Sequence, residues 1–182
     1  STTRERQRPP NPQPPTSATG ATHRCRSGPR RRRRSRSLFS HGARFGGHAL
    51  YIKDHKRKYV YNFVGLDEQM IESTVEIPIG PVLLAAAFER EGTSMPTSGT
   101  VSLYINDNKV AEGRLRTQPG NFSLVGEGLN IGRDPGEPVT DDYAGTRPYS
   151  FVGDTIRQAI IDVSGEPCLD LETEAAMMMA RE

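Results

Sequence analysis

The chain has 182 residues, 24 Lys+Arg against 22 Asp+Glu, and a formal net charge of +2. Two cysteines, Cys25 and Cys168, exclude a disulfide-stapled scaffold, and no run of about 18 apolar residues is present to cross a membrane as a helix. The near-neutral total hides two unlike parts: residues 1–36 carry +10 and residues 37–182 carry −8.

Residues 1–36 contain no Val, Ile, Leu, Met, Phe, Tyr or Trp and hold 6 of the 14 prolines. Such a segment cannot offset its ordering entropy by burial, so a disordered Pro/Arg-rich tail is expected over 1–36. The run Arg30 to Arg34 would condense on phosphates with steep salt dependence. No aromatic is interleaved to stack on bases, which disfavours nucleic acid as the partner. The basic start lacks the apolar stretch of a secretion signal. With the sparse cysteines, that leads to the expectation of a reducing, cytoplasmic setting.

From Ser37 the apolar pattern has period two, and residues 37–182 read as one domain that is mainly β. Ala49–Ile52 and Tyr59–Val64 flank the polar stretch Lys53–Lys58 and predict a hairpin. Thr74–Ile77 predicts a strand ending at Pro78. Val82–Phe88, apolar on both faces and bounded by Gly80-Pro81 and Gly92, predicts a buried central strand. Thr100–Ile105 returning as Lys109–Leu115 is the clearest hairpin, because Asn106-Asp107-Asn108 tolerates positive φ. Leu129–Gly132 reads as a short strand and Ile156–Val163 as a central one. Many short strands with Gly/Pro punctuation imply an antiparallel sandwich. The segment Asp170–Arg181 turns to helical composition, with Asp170 as N-cap and Leu171, Ala175 and Met178 on one face.

Residues 132–143 hold four carboxylates within nine positions, from Asp134 to Asp142. Hard cations want clustered oxygen ligands, so Asp134, Asp141 and Asp142 are the candidate calcium ligands. The spacing is not that of an EF-hand loop, and acids in turns also serve local hydrogen bonds. His41, His48 and His55 recur every seven residues. On a strand that step reverses the face, so they are not expected to share a metal unless a turn intervenes. Gly126–Gly132 is one residue too long for a dinucleotide fingerprint. Asn121-Phe122-Ser123 is a bare sequon. Cys168 reads as a buried small residue with no sequence partner.

The stretches Leu38–Tyr51, Tyr59–Gly65, Arg116–Leu124, Gly126–Leu129, Val139–Tyr143 and Phe151–Ile156 run in the order seen in another family. They resemble the C-terminal domain of bacterial, especially actinobacterial, arylsulfatases. The resemblance implies a concanavalin A-like, laminin-G-like β-sandwich that follows a large catalytic domain and packs against it. It implies a parent that hydrolyses sulfate esters with a formylglycine nucleophile beside a calcium. Neither cofactor is implied for this chain, whose nearest sequence to the nucleophile motif, Cys25–Arg30, has its proline misplaced. The expectation is thus a catalytically incomplete accessory domain or fragment, missing its first strand, with 1–36 as out-of-frame text. The alternative is a free-standing lectin-like module that binds glycans, with Tyr51, Tyr59, Tyr61, Tyr104, Tyr143 and Tyr149 available for stacking, and a second alternative is nucleic-acid binding through the polybasic tail.

Overall fold

The computed structural model describes residues 18–25, 35–92, 96–118, 128–143, 145–152 and 154–162. Ten strands run through them: β1 (Ala18–Cys25), β2 (Arg36–Ala43), β3 (Gly46–Lys53), β4 (Lys56–Phe63), β5 (Asp67–Glu76), β6 (Pro81–Glu91), β7 (Thr97–Ile105), β8 (Asn108–Thr117), β9 (Asn130–Ile131) and β10 (Asp154–Ile161). They form two antiparallel five-stranded sheets. Sheet A has the order β10-β1-β6-β7-β8, and sheet B the order β5-β4-β3-β2-β9. The described residues contain no helix, and none that could cross a membrane.

The sheets face each other across one core. Leu38, Phe39, Leu50, Tyr59 and Ile71 of sheet B meet Val82, Leu84, Val101, Leu103 and Leu115 of sheet A. The alternation anticipated for β7 is complete: Thr97, Gly99, Val101, Leu103 and Ile105 point inward and the residues between them do not. Arg57 also lies inside, with no exposure, and donates from Nη1 to the Tyr104 carbonyl of the opposite sheet. Burial depresses that guanidinium to about 9.

Local chemistry sets the turns. Asp54 and His55 both take positive φ (51° and 63°), so the two-residue loop between β3 and β4 has the twist that antiparallel strands favour. Asn106, at φ 53°, does the same between β7 and β8. Gly42 (φ 81°) opens the β2–β3 turn, where a Cβ would stand 2.2 Å from the Gly46 carbonyl oxygen, so only glycine fits.

Several expectations are corrected. Within the expected tail, Ala18–Cys25 is a strand with partners on both sides, β6 and β10. Arg36 already belongs to β2, and Ser35 is buried. Residues 1–17 and 26–34 lie outside the described residues, as do the expected helix at 170–181, Cys168, the sequon and the first two residues of Gly126–Gly132. β6 is central, as expected, but one face is partly open, with Leu83 at 40% exposure. β10 is the outermost described strand of sheet A rather than a central one, and Ile160 and Ile161 are exposed. A turn does intervene between two of the histidines. The β2–β3 hairpin sets His41 opposite His48, with ring centroids 5.6 Å apart, while His55 sits in the next turn.

His48 is enclosed by Phe39, Tyr59 and Tyr61, and its Nδ1 lies 2.9 Å from the Tyr59 hydroxyl. Burial, with the charge on His41 second, pushes His48 from 6.5 down to about 4. The folded state therefore binds this proton less readily than the unfolded state. The residue's contribution is full above pH 6.5 and lost as pH falls toward 4. The expected loss is about 3 kcal/mol across that window. Urea titrations of the wild type and His48→Phe from pH 7 to 4 check it: the difference in unfolding free energy must shrink or reverse over this range, and a constant difference contradicts it.

Sheet packing generates a second expectation. A Cβ on Gly113 of β8 would stand 2.6 Å from Ile71 Cγ1 of β5, so the sheets approach too closely there for a side chain. Gly113→Val should cost about 1–3 kcal/mol by overpacking. Gly113→Val combined with Ile71→Ala should recover part of that loss in chemical denaturation.

Candidate functional site

Strands β3 and β4 bury both faces. Leu50, Ile52, Tyr59 and Tyr61 point into the main core. On the opposite side, Ala49, Tyr51 and Val60 form a second apolar cluster with Val139 and Tyr143, with Tyr149 packed against it. The residues between β9 and β10 roof this face. Tyr143 stands edge-on to Tyr51 at 5.0 Å and lies 4.7 Å from Tyr149. Polar stitches fix the roof. Asn62 Nδ2 donates to the Val139 carbonyl at 2.9 Å, Ser40 Oγ to the Arg133 carbonyl at 3.1 Å, and Thr140 Oγ1 to Glu68 at 2.7 Å. Asp134 is buried, donates from its backbone to the Pro148 carbonyl and accepts from the Val139 N–H.

At one corner of the roofed face, the register sets Tyr51 opposite Lys58, Lys53 opposite Lys56, and Lys58 opposite Glu72. Three lysines thus crowd one corner, an unfavourable arrangement unless acids intervene. Asp142 supplies the central one. Its Oδ1 takes Lys53 Nζ at 2.5 Å; its Oδ2 takes the Tyr51 hydroxyl at 2.7 Å and Lys58 Nζ at 3.1 Å. Glu72 takes Lys56 at 2.8 Å and Lys58 at 3.1 Å. Burial alone would raise the Asp142 carboxyl, but the bonds from Lys53, Tyr51 and Lys58 outweigh it and the net shift is downward. Burial would lower Lys58 and its two carboxylate partners reverse that, for a net rise. Tyr51 is pushed up by burial and by its carboxylate partner.

The rim at the other end of the roof is open and polar. Arg44, in the β2–β3 turn, pairs with Asp141 and, at 3.8 Å, with Glu137; Arg147 pairs with Glu137 at 3.1 Å. Beside Arg44, the Phe45 ring rests on Gly65 and is 59% exposed, the most exposed Phe or Tyr among the described residues. Leu66 and Val64 extend this apolar tip.

The structure separates the three aspartates taken as calcium ligands. Asp134 is buried against the Val139 N–H, Asp141 faces Arg44, and Asp142 faces two lysines. Among the described residues no group of three or more His, Cys, Asp or Glu side chains is placed to hold a metal. Of the tyrosines considered for stacking, Tyr51, Tyr59, Tyr61 and Tyr143 are buried, and Tyr104 and Tyr149 are half-buried. Sequence reasoning missed Lys53, Lys58, Arg44 and Phe45. Alternation across the 54–55 turn does carry a signal for the first two, since it puts residues 51, 53, 56 and 58 on one face.

No family model matches the chain, and no curated protein matches it. Among solved structures, the chain is similar to the CBM40 module of the Ruminococcus gnavus IT-sialidase. That match has 13% identity and TM-score 0.53, and covers 88% of this chain and 81% of that one. The same module bound to α2,3-sialyllactose matches at 14% identity and TM-score 0.55, covering 84% of this chain and 78% of that one. Bound to α2,6-sialyllactose, it matches at 16% identity and TM-score 0.51, covering 87% and 81%. At these identities the likeness is one of fold, an all-β sandwich.

The Asp142 hub predicts acid-sensitive stability. Asp142→Asn should lower the unfolding free energy by about 1.5–3 kcal/mol at pH 7, the range for hydrogen bonds to a charged group. Because the folded carboxyl lies below its usual 3.8, its contribution is present above that value and is lost as pH falls through the folded pKa. The gap between variant and wild type in urea titrations should therefore close at strongly acidic pH; a gap independent of pH contradicts this role.

Proposed function

We propose that this chain is a glycan-binding β-sandwich module, and that it binds at the rim formed by Arg44, Phe45, Glu137, Asp141 and Arg147. One observation carries the reading: the fold likeness extends over 84% of this chain to a module whose solved structure holds a sialylated trisaccharide. The rim supports it chemically. An exposed ring offers an apolar face to the C–H side of a sugar. Beside it, two guanidinium forks and two carboxylates offer donors and acceptors that match vicinal hydroxyls, or the acid group of an acidic sugar. The ion pairs hold these groups in place before a ligand arrives, which lowers the ordering cost of binding.

A second reading is the accessory domain of an arylsulfatase-type enzyme, acting beside a separate catalytic domain. It is favoured by where the resembling stretches lie. Leu38–Tyr51, Tyr59–Gly65 and Val139–Tyr143 contribute Ala49, Tyr51, Val60, Val139 and Tyr143 to one apolar cluster. They therefore form a spatial unit and not only a collinear one.

Calorimetric titration of the full chain with α2,3-sialyllactose and with lactose tests the first reading. Saturable binding of at least one is expected. Arg44→Ala and Phe45→Ala should each weaken it about tenfold, or about 1.4 kcal/mol, with little change in melting temperature. A folded chain that binds neither saccharide, nor any member of a broad glycan array, sinks the glycan reading.

A further inference from the structure

The corner bearing Tyr51, Lys53 and Lys58 has the composition of a receptor that is already filled. All three donors come from paired strands, β3 and β4, whose register sets their positions. Tyr51 has no exposure, so its hydroxyl cannot swing away, and Lys58 is bracketed by Glu72 on the neighbouring strand. The acceptor comes from elsewhere: Asp142 reaches the corner on the segment joining β9 to β10. That segment has independent attachments, through Thr140 to Glu68 and through the Val139 carbonyl to Asn62. The carboxylate takes three hydrogen bonds shared over its two oxygens, at 2.5, 2.7 and 3.1 Å. The corner is not sealed. The Lys53, Lys58 and Asp142 side chains keep 19%, 13% and 23% exposure, so the carboxylate position can be reached from solvent.

We propose that Tyr51, Lys53 and Lys58 form a receptor for a single oxoanionic group, a carboxylate or a sulfate, which the chain occupies in cis with Asp142. The side chain serves as a built-in competitor. Tethered to its receptor, it acts at an effective concentration that free anions do not reach, so the intact chain excludes them. Displacing or removing Asp142 opens a site with two cations and one hydroxyl donor, a set suited to such groups. Glu72 keeps the corner from binding anions indiscriminately, since it answers Lys56 and one side of Lys58. The inference stands on this corner alone and does not need the glycan reading of the rim.

The test uses the full chain and Asp142→Ala, with sodium acetate and sodium sulfate as probes at ionic strength held constant with chloride. Either anion should raise the melting temperature of Asp142→Ala saturably, by at least about fivefold more than it raises that of the wild type. The response should vanish in Asp142→Ala/Lys58→Met. If Asp142→Ala does not fold, Thr140→Ala serves instead. Thr140 Oγ1 holds both Glu68 and the Asp142 N–H, so this change loosens the competitor and leaves the receptor intact. Its saturable response should likewise be lost with Lys58→Met. No anion response in a folded variant overturns the proposal, as does an equal response in the wild type or the Lys58→Met double variant. α2,3-Sialyllactose against lactose on Asp142→Ala separates the sources. A gain for the acidic saccharide alone assigns the site to a glycan-borne acid, and a response to acetate or sulfate without that gain assigns it to free ions. Failure here leaves the Arg44 and Phe45 titrations unaffected, so the two readings fall separately.

Discussion

Sheet B is buried on both faces at β3 and β4, and most of the architecture follows from that constraint. An antiparallel sheet in a sandwich ordinarily keeps one face for solvent. Here Ala49, Tyr51 and Val60 turn away from the main core into a second apolar cluster. A roof must therefore lie over them, and its backbone groups need partners because they are taken out of water. Asn62, Ser40 and Glu68 supply those partners from the sheet itself. The roof is consequently a fixed surface, and the residues it carries, Glu137, Asp141 and Asp142, are held in set positions.

The two halves of that surface have different chemistry for one reason. At the roofed corner, Asp142 meets Lys53 and Lys58 while Glu72 meets Lys56 and Lys58, so the three lysines that the hairpin register forces together are neutralised. At the rim, Arg44 and Phe45 project from a turn that Gly42 makes tight, so their groups stay open to solvent. The adjacent residues Asp141 and Asp142 therefore do different work: one orients an exposed guanidinium, the other closes a cationic corner. A sandwich of this type can present recognition groups at loop ends while its sheets remain unchanged, which is how one fold serves many ligands.

Much of the fold was legible in the sequence where period two was unbroken. The β7–β8 hairpin and the β3–β4 hairpin follow from alternation and from turn residues that tolerate positive φ. β1 was not legible, because Ala18–Cys25 has no large apolar side chain and its place depends on backbone pairing with strands distant in the chain. β10 misled in the opposite direction, since its isoleucines suggest a central strand while the topology sets it outermost among those described. The acidic segment 132–143 was singled out in the sequence for its four carboxylates. Its acids were grouped by closeness in sequence, whereas the structure sorts them by their partners: Asp134 takes the Val139 N–H, Asp141 meets Arg44 of the 44–45 turn, and Asp142 meets lysines of β3 and β4. A reading along one strand cannot see them; a reading of both strands of a hairpin together can.

The pairing of β1 with both β6 and β10 bears on how the chain acquires its structure. β2 to β5 form a meander in which each strand meets its sequence neighbour, so sheet B can assemble from successive local hairpins. Sheet A cannot, because residues 18–25 find one partner at residues 81–87 and the other at residues 154–161. Contacts at such sequence separation close slowly. During synthesis, sheet B and the β6–β7–β8 ladder are thus available before β10 emerges, and β1 waits with at least one edge unpaired. The vulnerable interval in the life of this molecule is that wait, when an open strand edge is exposed to other chains.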